Sequence, residues 1–252
     1  MIPKVLHFCW ISGDPYPEMV KRCIDSWSAY LPDFRIELWD KERVLEVGGV
    51  WCREAIETKR YAFAADYIRL YALYHMGGVY LDSDVEVLRP IDHLLALPYF
   101  VGFENVGDWL EMAVIGAERG NRWVKQCLDY YQRGRLHFVN PIGYYRISAL
   151  PYIAKQRLRR RFSLIEAATD SSYEDKEGAI YVQPLGFCIH PDSNRQYQIE
   201  RHTLFIHHYA ASWHDSKQEV PHRNAMQELL FFFYKPMRRL KRWLIGKPLP
   251  RG

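Results

Sequence analysis

Short apolar runs alternate with amphipathic stretches along the first hundred residues. KVLHFCWI (4–11) predicts a strand, GDPYP a loop, Glu18–Tyr30 a helix, and DFRIELWD (33–40) a second strand. KRYAFAADYIRLYALYHMGG (59–78) is the clearest helix, with Ala62, Ala65, Arg69, Leu73 and Met76 at helical spacing and Gly77-Gly78 as its stop. A strand begins at once in VYLDSDVEVL (79–88). Further on, YFVGFEN and EMAVIGAE predict strands, RWVKQCLDYYQRG a helix, and AIYVQPLGFCIHP and TLFIHHYAASW late strands. KQRLRRR (155–161) is a basic cluster and TDSSYEDKEG (169–178) a polar loop. The alternation predicts an α/β protein, a sheet with covering helices.

The chemistry concentrates in VYLDSDVEVL. In extended backbone, Asp82 and Asp84 point to one face, where like charges repel and resist desolvation unless a cation or a set of donors compensates. A hard dication, Mg²⁺ or Mn²⁺, suits such a pair and leaves positions open for phosphate oxygens. Asp-Ser-Asp is also ordinary turn chemistry, and that reading stays open here. A calcium EF-hand is excluded by the missing glycine and terminal glutamate. A haloacid-dehalogenase-type phosphatase also ends a strand in Asp-x-Asp, but GDWLEM (107–112) lacks the second acid of its later motif. Asp66 and Arg69, three apart, share a face of the preceding helix.

Three segments, IPKVLHFCW, AADYIRLYALYHMGGVYLDSDVEVL and FIHHYAASW, together resemble the DXD-motif, sugar-binding-region enzymes of glycosyltransferase family thirty-two, including its bacterial capsular polysaccharide type. The resemblance implies a GT-A fold, Rossmann-like, with a nucleotide-sugar half (about 1–100) and an acceptor half (101–217) around one continuous sheet. It implies Mn²⁺ or Mg²⁺, a nucleoside-diphosphate sugar donor such as a UDP-hexose, and transfer with retention to a saccharide or lipid-linked oligosaccharide. Carried over by residue, Asp84 is the direct metal ligand, and Asp82 holds ribose and the metal's water shell. Asp66 and Arg69 meet donor hydroxyls and the leaving diphosphate. Trp10 stacks on the base, His207 completes the metal shell with His208 as rival, and Ser212 and Trp213 close over the diphosphate. Glu104 and Asn105 occupy an acceptor-facing loop, and His7 is expected to be a buried structural histidine.

Composition adds limits. Five scattered cysteines with no CxxC pair argue for a reducing compartment and against a zinc ribbon. No signal peptide is expected at the N-terminus, and no window has the ~20 apolar residues of a membrane span. A cytoplasmic protein is the expectation. The net charge is +4, yet residues 235–252 carry seven basic side chains and no acid, leaving the rest at −3. Residues 218–252 therefore read as a basic, aromatic helical tail suited to an anionic bilayer at the inner face of a membrane. Nothing in the body resembles a nucleic-acid-binding module.

Overall fold

The apolar runs become strands where the alternation puts them. β1 (Val5–Cys9) and β2 (Arg35–Trp39) pair in parallel, Val5 opposite Arg35 through Cys9 opposite Trp39. The crossover between them is α1 (Glu18–Tyr30), whose buried Val20, Cys23 and Trp27 recur at helical spacing. The structure, a computed structural model, describes residues 1–104, 109–132, 149–168, 173–174, 176–192, 194 and 196–209, all within one compact unit. The tail at 218–252 and half of the 169–178 loop lie outside the described residues.

Two helices join the predicted set after β2. α2 (Lys41–Val47) is capped by Asp40, whose side chain accepts from Arg43 N at 2.9 Å. α3 (Gly49–Glu57) follows, and then α4 (Tyr61–Met76). α4 is buried on nearly every side, Asp66 and Arg69 included, because it packs across β1 and β3 (Gly78–Leu81) and against α3 and α5 (Arg122–Gln132). Gly77 (φ 69°) and Gly78 (φ 113°) turn α4 straight into β3, and a Cβ at Gly78 would stand 2.4 Å from Val5 O. The two glycines therefore lock the helix to the strand that carries the aspartates.

β4 (Val85–Val87), a 3₁₀ turn (Asp92–Ala96), β5 (Tyr99–Phe103) and β6 (Leu110–Ala117) follow. After α5 come α6 (Leu150–Leu158), β7 (Ser163–Glu166), β8 (Ala179–Val182), β9 (Cys188–Ile189) and β10 (Phe205–His207). The main sheet runs β2-β1-β3-β6-β5, with β1, β2 and β3 parallel and β6 antiparallel to both neighbours. β4-β10-β9 and β7-β8 are separate small sheets, so the single continuous sheet implied by the resemblance divides into three among the described residues. A core of Phe8, Trp27, Leu81, Val85, Phe100, Phe187 and Phe205 joins the first two sheets. β1 and β3 end at one edge, the usual ligand edge of an α/β sheet, and β10 lies antiparallel to β4 with His207 opposite Val85. Among the described residues no helix is long and apolar enough to cross a membrane.

Candidate functional site

The acidic pair lies just past β3. Leu81 is the last strand residue; Asp82 N donates to Ala113 O (2.9 Å), and Val85 N returns to Asp82 O (3.0 Å). Asp82-Ser83-Asp84 is thus a tight turn, which corrects the expectation of two carboxylates on one face of an extended strand. The turn and the metal reading are not alternatives here. Turning the chain brings ligand atoms of Asp82, Asp84 and His207 within 4.8 Å of one another.

Arg69 reaches this turn from α4. Its Nη2 stands 3.2 Å from Asp66 Oδ1 and 3.0 Å from Asp82 Oδ1. Nη1 donates to Asp82 Oδ2 (3.2 Å) and Met112 O (2.6 Å), and Nε to Ala65 O (3.4 Å). Three of the guanidinium's five N–H groups donate in these contacts, and Nη2 stays within ion-pair reach of both carboxylates. Tyr80 lies under the guanidinium at 4.8 Å, and its hydroxyl donates to Asp82 Oδ1 at 2.9 Å. Burial pushes Asp66 up to about 7 against the pull of Arg69, with Asp82 adding to the rise and the Leu150 amide opposing it. Burial likewise raises Asp82, again against Arg69 and with help from Asp84. Burial also carries the Cys9 thiol, at the end of β1, up to about 12, so it is no thiolate nucleophile.

Across the turn stands His207. Its Nε2 is 3.6 Å from Asp84 Oδ1 and its Nδ1 is 3.5 Å from Glu111 Oε1. Glu111 is 3% exposed, accepts from Ala113 N at 2.9 Å, and binds His190 Nε2 through its other oxygen. Burial lowers the affinity of His207 for a proton, but Glu111, then Asp84 and Asp82, outweigh it and raise the imidazole to about 9. Burial alone would raise Glu111; His207 and His190 reverse that and hold it well below the usual carboxylate range.

Of the two adjacent histidines, the fold turns His207 toward the aspartates. His208 faces away, held by Glu86 Oε2 (2.8 Å) and Tyr197 (2.7 Å). Trp10 follows the end of β1 on the same sheet edge, half-buried against Tyr16 at 5.0 Å, with its indole N–H donating to Asp14 O at 2.7 Å. His7 is buried among neutral partners: Nε2 donates to Gly77 O (2.9 Å) and Nδ1 accepts from Trp39 (3.3 Å). Glu104 accepts from Tyr209 at 2.7 Å, and Tyr209 stacks on His190 at 4.4 Å. Asn105, Ser212 and Trp213 lie outside the described residues.

Sequence reasoning missed Tyr80, Glu111, His190 and Tyr209. The signal available for Glu111 was an acid at the head of an otherwise apolar strand. Its orientation comes from a register shift, where Val101 pairs with Ile115 but Gly102 pairs with Glu111. Three residues of β6 bulge out of the ladder there, which frees Met112 O for Arg69 and Ala113 N for the Glu111 carboxylate.

The donor set fits a hard dication. Asp82 and Asp84 supply oxygens, and His207 Nε2 faces Asp84 at a separation too long for a hydrogen bond yet suited to two ligands of one ion.

The family model for "Glycosyltransferase sugar-binding region containing DXD motif" matches residues 17–101, the segment carrying Asp66, Arg69, Asp82 and Asp84. The Saccharomyces cerevisiae "Mannosyl phosphorylinositol ceramide synthase SUR1" is 33% identical over 108 residues, 40% of this chain and 27% of the relative. The Schizosaccharomyces pombe "Inositol phosphoceramide mannosyltransferase 3" is 26% identical over 222 residues, 85% of this chain and 56% of the relative. This chain therefore spans less than two thirds of either relative. A solved structure, "PaToxG Glycosyltransferase", aligns with a TM-score of 0.47 at 21% identity, covering 63% of this chain and 68% of that one. Over residues 17–101 and over the aligned parts of both relatives, this chain is similar to glycosyltransferase sequences.

Proposed function

We propose that the protein is a metal-dependent, retaining glycosyltransferase that moves a hexose from a nucleoside-diphosphate sugar to a hydroxyl of a saccharide or polar lipid. The observation that carries this reading is the convergence of Asp82, Asp84 and His207 where the parallel strands β1 and β3 end, inside the matched family segment for the two aspartates. Asp82, Asp84 and His207 would hold Mn²⁺ or Mg²⁺, which when bound neutralises negative charge on a diphosphate.

The chain's own residues do the rest. Arg69, ion-paired with both carboxylates and donating to Met112 O, holds Asp82 and Asp66 in place. Asp66 keeps one oxygen on the Leu150 amide and turns toward Arg69 with the other, at the border of the donor sugar's hydroxyls in this reading. Trp10 supplies an aromatic face for the base, and Ser212 and Trp213 close over the diphosphate. Glu104 stands on the acceptor side. The bond from C1 to the phosphate oxygen breaks ahead of acceptor attack on the same face. The new C1–oxygen bond forms there, and the acceptor's proton passes to the departing phosphate oxygen. No carboxylate is assigned a covalent role.

The two relatives are named for transfer of mannose to inositol phosphoceramide, which adds a mannosyl donor to the UDP-hexoses and a lipid-borne acceptor to lipid-linked and capsular saccharides. A lipid acceptor agrees with the basic tail at 218–252 resting on the cytoplasmic face of a membrane. The phosphatase alternative needs a second acidic motif, and GDWLEM (107–112) does not supply its second acid. The test is a panel of UDP- and GDP-sugars with Mn²⁺, read by nucleotide release. Release from one or two donors, abolished by chelator, is expected. Phosphate release from a phosphomonoester with no nucleotide release would replace this reading with the phosphatase.

A further inference from the structure

Glu111 takes no part in the chemistry above, yet it is the most buried acid near the site and touches two histidines. Its Oε1 accepts the Ala113 amide and faces His207 Nδ1 at 3.5 Å, while Oε2 binds His190 Nε2. Tyr209 closes the group, stacked on His190 at 4.4 Å and against the His207 ring at 4.3 Å. A buried carboxylate is costly unless it is paired and hydrogen-bonded, so a position that collects this many contacts around one acid needs a reason.

The reason lies in what Glu111 does to His207. To ligate a cation the imidazole must be neutral, with one N–H and one lone pair. With a carboxylate on each side, the proton can satisfy only one of them. If it sits on Nδ1, toward Glu111, then Nε2 aims its lone pair at the gap before Asp84 Oδ1, 3.6 Å away. If it sits on Nε2 instead, a buried lone pair opposes the Glu111 carboxylate. The geometry points to the first arrangement.

We propose that Glu111, itself fixed by His190 and the Ala113 amide, is a positioning residue that commits His207 Nδ1 to a proton and so presents Nε2 to a divalent cation at Asp84. The inference rests on the reading of Asp82, Asp84 and His207 as a cation site. It adds an outer layer to that site, drawn from β6 and from the residue after β9, which the sequence keeps far from the aspartates. Outer partners of this kind orient the ligand imidazole and raise its basicity; removing one weakens metal binding by about 10–100-fold.

The test measures Mn²⁺ affinity directly, by the fall of the free-ion electron paramagnetic resonance signal, on the full chain with no nucleotide sugar present. Glu111→Gln keeps the size of the side chain and removes its charge. Its Kd for Mn²⁺ should rise about 10–100-fold, while Glu111→Asp recovers part of the loss. Where a donor sugar is turned over, the Mn²⁺ concentration for half-maximal rate should rise with Kd, and the rate at saturating Mn²⁺ should return to within a few-fold of the unaltered protein. A purely structural role would instead lower the saturated rate and leave the metal dependence unmoved. Should Glu111→Gln not fold, His190→Asn tests the same link from the far side, with a smaller weakening expected. Equal Mn²⁺ affinity in the unaltered protein and the folded variant overturns this role and leaves the cation site standing. No Mn²⁺ binding by the unaltered protein overturns both.

Discussion

Two histidines of low exposure, His7 and His207, sit on neighbouring sheets and live in opposite surroundings. His7 gives one nitrogen to Gly77 O and takes the Trp39 N–H on the other, so the neutral ring is satisfied and burial lowers its affinity for a proton. His207 has a carboxylate facing each nitrogen, and its pKa is raised to about 9 despite burial. His7 is fully buried, the His207 side chain keeps 12% of its surface exposed, and both lie in strands, so low exposure alone does not tell scaffold from site. The difference is whether the polar groups around the ring are already matched. Around His7 they are. Around His207 the two acids favour a charged ring, and a cation at Asp84 would take the place of the Nε2 proton while Nδ1 keeps its own toward Glu111.

The sharpest way to break this comparison is to remove the acid that faces His207 Nε2. Asp84→Ala should lower metal-dependent nucleotide release by at least about 10³-fold, the scale of losing a main charge-stabilising group. The melting temperature should stay within about 3 °C, because the Asp84 side chain is partly exposed and water can reach the groups it leaves. Near-normal turnover in that variant would remove the aspartates from the mechanism.

Arg69→Met should come next, and it should cost stability as well as rate. It strands Asp66 and Asp82 in a buried setting and leaves Met112 O without its donor. Breaking a buried ion pair from one side costs about 3–5 kcal/mol, to be read from urea unfolding. Arg69→Lys should rescue little, since an ammonium cannot fork onto two carboxylates. A variant as stable as the parent would mean that the guanidinium is not what holds the aspartates.

His7→Ala carries the opposite signature. It orphans Gly77 O and the Trp39 N–H and opens a cavity under β1, for a loss of about 2–4 kcal/mol. Activity per folded molecule should hold at temperatures well below the melt. A large fall in kcat with unchanged stability would make His7 part of the site.

The same contrast explains what could be read from the sequence. Asp66, Arg69, Asp82 and Asp84 fall within nineteen consecutive residues, on one helix and the turn after the next strand, so local periodicity and a short motif bring them together. Gly77-Gly78 announced the junction, and its positive φ values are the reason those residues are there. Glu111 and His190 are 79 positions apart and meet only through the bulge in β6 and the docking of β9, neither of which leaves a trace in hydrophobic alternation. α2 had a readable start in Asp40, but the preceding strand signal masked it, and α6 hid behind its basic residues. The choice between His207 and His208 needed only the pairing of β10 with β4, a long-range register.

The smallest expected effect concerns Asp66, the one acid of the cluster that is not assigned to the cation. Its carboxyl is raised from 3.8 to about 7, mainly by burial, with Asp82 adding and Arg69 and the Leu150 amide opposing. A raised carboxyl binds its proton more tightly in the fold than in the unfolded chain. Its stabilising effect is therefore complete below pH ~4 and fades as pH rises through about 7. Asp66→Asn keeps the shape and cannot ionise. Whatever fixed offset the amide brings by facing Arg69, the variant's melting temperature should gain on the parent's by several degrees between pH 5 and pH 8, measured without metal. Parallel melting curves across that range would mean that Arg69 already holds Asp66 ionised at pH 5, and that the burial of this helix face is less complete than its packing against β1 and β3 requires.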